Sequence, residues 1–284
     1  MKPAPFTYHR TRSVAETVAL LAELGDGAKI LAGGQSLVPM MNFRLARPSA
    51  LVDITRIPGL DYLRAGPDGL RVGALTRHRS IELCRDPAVL DGFGVLTRAA
   101  RWIGHYPIRA RGTLGGSIAH ADPAAEWCLL AVLLGARIEL TGPGGRRTVP
   151  VTEFFEGFYS TTAEPDEMIT EIHFPVPARR AALTEFAQRQ GDFAVVAAAV
   201  SIDLAPDGST RDIRVVLGGV GPLPHQIDTT DLAGQPATSE TWRKAGELAA
   251  EQIDPPADGH GTGGYRKRLA ATLTERALAQ AAAQ

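Results

Sequence analysis

Apolar positions at helical spacing appear early in the chain. Val14, Val18, Leu21 and Leu24 fall on one face of a helix predicted over 13–24, with Ser13 and Glu16 at capping-box spacing and Gly25 as the stop. A short apolar stretch, Ala28 to Ala32, predicts a strand that runs directly into Gly33-Gly34-Gln35-Ser36, and Leu51 to Ile54 predicts a second. Leu70 to Leu75 should pair with Tyr62 to Arg64 across the turn Gly66-Pro67-Asp68-Gly69. A helical pattern covers 87–103, interrupted by Gly92 and Gly94. Further on come a polar, glycine-rich segment, an apolar helix through Leu134, a hairpin of 137–140 with 147–151, and a strand over 168–174. Pro175-Val176-Pro177 then suits an interdomain joint, because proline interrupts both ladders and helices. The remaining third predicts strands over 184–188, 195–204 and 213–220, then helices over 239–252 and 265–283 with a flexible, glycine-rich loop between them.

Composition narrows the classes. Thirty Lys and Arg against 31 Asp and Glu give a net charge of −1, without the basic excess of a nucleic-acid binder. The longest apolar run, Trp127 to Ala136, is about half a bilayer span, and the polar N-terminus carries no signal core. A cytoplasmic protein without membrane insertion is expected. The two cysteines, Cys84 and Cys128, cannot supply a disulfide scaffold, a four-thiolate zinc site or an iron–sulfur cluster. They sit on apolar helical faces and read as buried and inert.

The glycines carry more information. No GxxxxGK[ST], GxSxG or HExxH motif occurs, and the GxGxxG formed by Gly259, Gly261 and Gly264 lacks the preceding strand that a dinucleotide fingerprint needs. Two clusters remain, Gly33-Gly34 before Ser36, and Gly115-Gly116 between Thr113 and Ser117. Without Cβ atoms, such loops let backbone amides approach phosphate oxygens, and the hydroxyls add donors; neither loop holds a Lys or Arg. Each alone reads as an ordinary tight turn, whereas the pair suggests one shared phosphate site. His120, Asp122 and Glu126 are metal-ligand types, but Pro123 disturbs the helix that would align them. A polar ligand contact, or a helix cap from Asp122, is the favoured reading. His78 and His105 read as solvated, and Phe154-Phe155-Phe158-Tyr159 as core.

The segments Ala32-Gly33-Gly34-Gln35-Ser36-Leu37 and Arg109 to Glu126, with RGTLGGSIAHADPAAE at its end, resemble the two flavin motifs of the FAD-binding medium subunit of molybdenum hydroxylases. That group includes xanthine dehydrogenase and aerobic carbon monoxide dehydrogenase. Gly191-Asp192-Phe193-Ala194, Val216 to Pro222 and Tyr265 to Leu269 are similar to the family's C-terminal domain, so the likeness covers nearly the whole chain. It implies an α+β protein: a two-subdomain FAD-binding domain of the PCMH, or vanillyl-alcohol-oxidase-like, type over 1–175, divided near 58, followed by a smaller α+β domain over 176–284. It places Gly33, Gly34, Gln35 and Ser36 on the FAD pyrophosphate, with Lys29, Ile30, Leu31, Ala32 and Leu37 along the approach. Thr113, Gly115, Gly116 and Ser117 would meet the same group from the second loop. His120 and Glu126 would reach the phosphate–ribose or adenosine portion, Ile169 (beside Met168) the adenine, and Ile103, Gly104 and Phe193 the isoalloxazine ring. Relatives often carry His at the Gln35 position and some carry Tyr at Phe193, which alters hydrogen bonding near the cofactor.

The resemblance also implies partners: a small subunit with two [2Fe–2S] clusters and a large subunit with the molybdenum cofactor, assembled as a dimer of heterotrimers. FAD here would collect electrons from the clusters and reduce an external acceptor, with the redox chemistry supplied by the cofactor and no catalytic acid or base required of this chain. Two alternatives stand beside it, a metal-dependent hydrolase using His120, Asp122 and Glu126, and a scaffold that keeps the fold without flavin.

Overall fold

The computed structural model describes residues 1–284. The first unit contains β1 (Thr7–Arg10), α1 (Val14–Leu24), β2 (Ala28–Leu31), α2 (Leu37–Asn42) and β3 (Ala50–Asp53). Its strands form a parallel sheet in the order β1-β3-β2. Leu21 of α1 packs there on Ala28, Ala50 and Val52. Ser13 Oγ accepts the Glu16 amide at 3.1 Å, as the capping box predicts, but the Glu16 carboxylate reaches back to the Arg12 amide at 2.7 Å rather than to Ser13. Strand β1 has no apolar pattern and is mostly exposed; pairing with the fully buried β3 holds it, which is why periodicity misses it.

The second unit begins with the hairpin β4 (Leu63–Gly66) and β5 (Gly69–Gly73), across the predicted turn. Helices α3 (His78–Glu82), α4 (Pro87–Ala99), α5 (Tyr106–Arg109), α6 (Leu114–His120) and α7 (Glu126–Leu133) follow. Next come the hairpin β6 (Arg137–Gly142) and β7 (Gly145–Pro150), α8 (Val151–Phe154), the small ribbon β8 (Phe155–Gly157) and β9 (Ser160–Thr161), and β10 (Met168–Phe174). The main sheet runs β4-β5-β10-β6-β7, so the last strand in sequence is its centre.

The C-terminal part is an antiparallel meander of β11 (Ala181–Phe186), β12 (Val196–Leu204), β13 (Thr210–Gly218) and β14 (His225–Ile227), with α9 (Ser239–Glu251) and α10 (Gly263–Ala282) on one face. Strand β12 is buried on both faces. Val196, Ala198 and Val200 face the α9/α10 core, while Ala197 and Ala199 join the core around α7. A strand covered on both sides reads as a continuous apolar run rather than an alternation.

Two expectations change. The helix predicted over 87–103 ends at Ala99 and breaks at Asp91 and Gly92, where Gly92 adopts φ +152°. The Gly92 carbonyl accepts the Ala178 amide at 2.7 Å, pinning the proline joint onto α4. The glycine-rich loop before α10 is tied down. Asp258 bridges to Gly261 and accepts Arg266 Nη2 at 2.6 Å, and Gly263 and Gly264 already belong to α10 behind the Thr262 cap.

A Cβ on Gly92 would lie 2.7 Å from Pro177 Cβ at a backbone angle that L-residues rarely adopt. Gly92→Ala is therefore expected to destabilise the fold by roughly 1–3 kcal/mol in chemical denaturation. Gly144→Ala, with open space around it and an ordinary φ, should change little.

Candidate functional site

A cavity of about 460 Å³ lies in the seam between the parallel sheet and the five-stranded sheet. Its walls come from β2 (Lys29, Ile30), the turn Ala32–Ser36, the start of α2 (Leu37, Met40), and β10 (Met168, Ile169). The opposite side is α6 with the loop before it. A larger hollow of about 570 Å³ on β13 and β14 is an open polar groove lined by Arg211, Asp212, Arg214 and Asp228, away from both glycine loops.

The first glycine loop faces the cavity with its backbone. Gly34 takes φ +72°, reversing the chain after β2 so that α2 can start on bonds from Val38 to the Gly34 carbonyl and from Met40 to the Ser36 carbonyl, both 3.1 Å. The amides of Gly33, Gly34, Gln35 and Ser36, four in a row, donate to no protein acceptor. Orphan amides at successive positions form a cradle for an anion. The Gln35 side chain turns back to donate to the Gly33 carbonyl at 2.9 Å.

The second loop works differently from the expectation. Its amides are spent inside the protein: Leu114 on Thr76, Gly115 on Ala74, Gly116 on Thr113 Oγ1, and Ser117 on the Thr113 carbonyl. What it offers the cavity is hydroxyl groups, Ser117 Oγ above all. Its glycines serve close packing. A Cβ on Gly115 would lie 2.7 Å from Ala74, and one on Gly33 only 2.3 Å from the Arg111 carbonyl oxygen and 2.6 Å from Gly112 Cα. The two loops thus touch backbone to backbone.

Of the residues expected from sequence, Lys29, Ile30, Ala32, Gly33, Gly34, Gln35, Ser36, Leu37, Thr113, Gly115, Gly116, Ser117, His120 and Ile169 all line this cavity. Leu31 lies just behind it, with its side chain against Gly34. Ile103, Gly104, Glu126 and Phe193 do not line it. Nor do they line the separate cavity of about 320 Å³ bounded by Trp102, Glu185, Phe186 and Gly191, although Trp102 and Gly191 are close to them in sequence. His105, next to Gly104, packs against Gly191, and Phe193 is largely exposed two residues on. Glu126 at the start of α7 is close enough to Glu185 on β11 for its charge to act on it, and Glu185 Oε2 is buried without a partner. Burial first raises both carboxyls above the usual carboxylate range; the charge of Asp122 adds to the effect at Glu126, and that of Glu126 adds to it at Glu185.

Other residues correct the sequence reading. His78 is buried, not solvated, and lines the main cavity. Its Nδ1 accepts the Trp127 indole N–H at 2.9 Å, and burial pushes its pKa down to about 4, with Arg109 adding to the effect. Tyr159 is not core: it lines the cavity in a left-handed conformation, φ +56°, with its ring 5.0 Å from that of His120. Cys84 lies past the end of α3 and is partly exposed. Asp122 holds a turn by accepting the Ala124 amide at 2.8 Å instead of capping α7. The suggested trio forms no ligand set: His120 packs at a tilt against Tyr159, and no cluster of three or more His, Cys, Asp or Glu has metal-holding geometry. Neither His78 nor Tyr159 carries a local sequence signal; each reaches the cavity through long-range packing.

Comparison with known proteins decides the family. The model of the FAD binding domain in molybdopterin dehydrogenase matches residues 4–177, and that of the CO dehydrogenase flavoprotein C-terminal domain matches 181–281. The chain belongs to this family of flavoprotein subunits. It is 38% identical over 283 residues to the carbon monoxide dehydrogenase medium chain of Hydrogenophaga pseudoflava, covering 98% of this chain and 97% of that one. To the 6-hydroxypseudooxynicotine dehydrogenase complex subunit alpha of Paenarthrobacter nicotinovorans it is 38% identical over 285 residues, covering 99% and 96%. The solved structure of quinoline 2-oxidoreductase from Pseudomonas putida 86 superposes with a TM-score of 0.94 at 36% identity, over 100% of this chain and 99% of that chain. An FAD-binding domain in an oxidoreductase subunit fits the four free amides and the glycine cradle. No helix is long and apolar enough to cross a membrane.

The Glu126–Glu185 pair gives this flavoprotein subunit a pH signature. Both folded-state pKa values lie above the unfolded value, so the folded chain holds protons that the unfolded chain releases. Stability contributed by the neutral pair is complete below the unfolded value near 4.5 and is lost as pH rises through the folded values, about 7 and about 8. Glu185→Gln is expected to flatten melting temperature between pH 5 and pH 8 and to stabilise the protein by roughly 1–3 kcal/mol at the upper end.

Proposed function

We propose that this chain holds FAD along the seam between its two sheets and passes electrons from a [2Fe–2S] partner subunit to an external acceptor. The observation that carries the reading is the run of four unpaired amides, Gly33 to Ser36, on the wall of a cavity of about 460 Å³. FAD would supply the two-electron to one-electron redox chemistry; the chain's residues bind and orient it.

Gly33, Gly34, Gln35 and Ser36 hold the pyrophosphate by backbone amides, with Ser117 and Thr113 hydroxyls opposite and Lys29 as a nearby cation. Ile169 and Met168 form an apolar wall for the adenine, and His120 stands beside the phosphate–ribose portion. The isoalloxazine ring is assigned by the family resemblance to the domain joint, toward Ile103, Gly104 and Phe193, with the cavity bounded by Trp102, Glu185 and Gly191 nearby. Domains over 1–175, divided near 58, and 176–284 suit this placement.

The partners follow from the family resemblance, a small subunit with the clusters and a large one with the molybdenum cofactor; this chain's two cysteines, Cys128 buried and Cys84 apart from it, accord with clusters held elsewhere. Names such as "medium chain" and "complex subunit alpha" among the relatives accord with such an assembly. A dimer of heterotrimers in the cytoplasm completes the reading.

Titration of the full-length apoprotein with FAD tests the assignment. Stoichiometric quenching of flavin fluorescence and a yellow protein are expected. In Gly34→Val, a β-branched side chain enters a left-handed position with Leu31 Cδ1 at 3.1 Å and Val38 Cγ2 at 3.2 Å from the new Cβ. It should weaken FAD at least tenfold, about 1.4 kcal/mol. A wild-type chain that takes up no FAD, yet assembles with its partner subunits, would favour the scaffold instead.

A further inference from the structure

We infer that His78 is an additional cofactor-binding residue, a neutral donor whose Nε2–H is held toward the FAD pyrophosphate by the Trp127 indole. The inference rests on the flavin reading of the main cavity and adds a residue to it.

Trp Nε1–H donates and cannot accept, so the nitrogen it meets must be unprotonated. That nitrogen is His78 Nδ1, 2.9 Å away and buried. A doubly protonated imidazole is excluded by the same contact, and the surroundings agree, since burial and the Arg109 guanidinium both disfavour a second positive charge. The single ring proton therefore sits on Nε2. Tautomer choice, ordinarily open for a histidine, is fixed here by a neighbour that has only one role.

Nε2 is also unspent. The ring's one protein hydrogen bond is that at Nδ1, and Nε2 is not among the polar atoms sealed from solvent without a partner. It opens onto the main cavity at a specific place. A Cβ on Gly112 would lie 2.6 Å from His78 Nε2, and Gly112 Cα is the atom against which Gly33 packs. The His78 amide donates to the Gly112 carbonyl at 3.0 Å, and Arg77 bridges to Thr113, so the start of α3 is bound to the second glycine loop. His78 thus packs against Gly112, the residue on which the first glycine loop closes, and lines the same cavity as the anion cradle.

Such a donor answers a deficiency of the site. The second loop has spent its amides internally, and neither glycine loop carries a cation. A fixed N–H from α3 gives the pyrophosphate a contact on the side where backbone donors are missing. Because it is neutral and its proton is pinned, it requires no change of protonation when the anion binds.

The test uses the full-length chain, with FAD and separately ADP as probes; ADP shares the adenosine and pyrophosphate but lacks the flavin. His78→Leu removes the donor and is expected to raise the dissociation constants for both about tenfold, the usual worth of one hydrogen bond to a charged group. His78→Gln can present an amide N–H at the Nε2 position and should recover most of the loss. Equal affinity in His78→Leu and wild type would overturn the inference. So would a loss confined to FAD, which would place the contact on the flavin half. Should His78→Leu fold poorly, the wild type decides: nitrogen-15 spectra of labelled histidine must show a protonated Nε2 and bare Nδ1 at pH 7, with the Nε2 signal moving on ADP addition. A protonated Nδ1, or an Nε2 signal indifferent to ADP, overturns it. A wild type that binds neither probe would instead remove the flavin reading on which this rests.

Discussion

The structure depends on the encasement of α7. Trp127, Cys128, Leu129, Leu130, Ala131 and Leu133 are all buried, so this helix has no solvent face to speak of. One side belongs to the core of the five-stranded sheet; the other presses on the C-terminal meander, where Leu129 occupies the space a side chain on Gly218 would need. Burying its four large apolar side chains, one Trp and three Leu, contributes on the order of 10 kcal/mol, before the opposing entropy, so the two halves of the molecule cannot part without exposing a shared core. Both sites then inherit their geometry from one helix. Trp127 reaches back to fix His78 beside the glycine loops, and Glu126 reaches forward to Glu185 at the joint.

That common origin explains a division of labour among the glycines. The helix fixes α6 and its preceding loop, and the loop's amides are consumed in binding Ala74 and Thr76 of the sheet. The loop becomes rigid and loses its capacity to donate. Gly33 then packs directly on Arg111 and Gly112, which leaves the first loop's amides free but held. One loop sacrifices its donors to position the other. Two similar sequence motifs therefore serve different purposes, and a symmetrical pair of phosphate cradles, the simplest expectation from their spelling, is not what the chain builds.

Much of this was legible in the residues. The Ser13 cap, the hairpin turns at Gly66–Gly69 and Gly142–Gly145, and the strand entering Gly33-Gly34 are written locally, in spacing and turn chemistry, and the structure follows them. The resemblance of the RGTLGGSIAHADPAAE segment supplied the family, which composition alone could not have done. What stayed hidden was non-local. Strand β1 owes its existence to β3, 43 residues away in sequence by the register of Thr7 with Ala50. His78 reads as a polar residue among Arg77 and Arg79 until Trp127 is brought to it. Tyr159 sits next to true core aromatics, Phe154 and Phe155, and only its left-handed turn sends it to the cavity.

On the proposed reading, with the pyrophosphate at the glycine loops and the flavin ring at the joint, the two ends of the ligand meet different electrostatics. At the anchor, charge is met by amide dipoles and hydroxyls that keep their protonation across the physiological range. The joint differs, because Glu126 and Glu185 are two enclosed acids whose proton occupancy changes near neutrality. A ligand spanning both would be gripped with a strength nearly independent of pH while its far end experiences a field that is not. Reduction of a flavin takes up protons as well as electrons, so a field that varies with proton occupancy acts on potential rather than on retention. Because the pair bridges α7 and β11, it does so only while the two halves stay packed, and the encased helix that binds the molecule together is also what keeps that field in place.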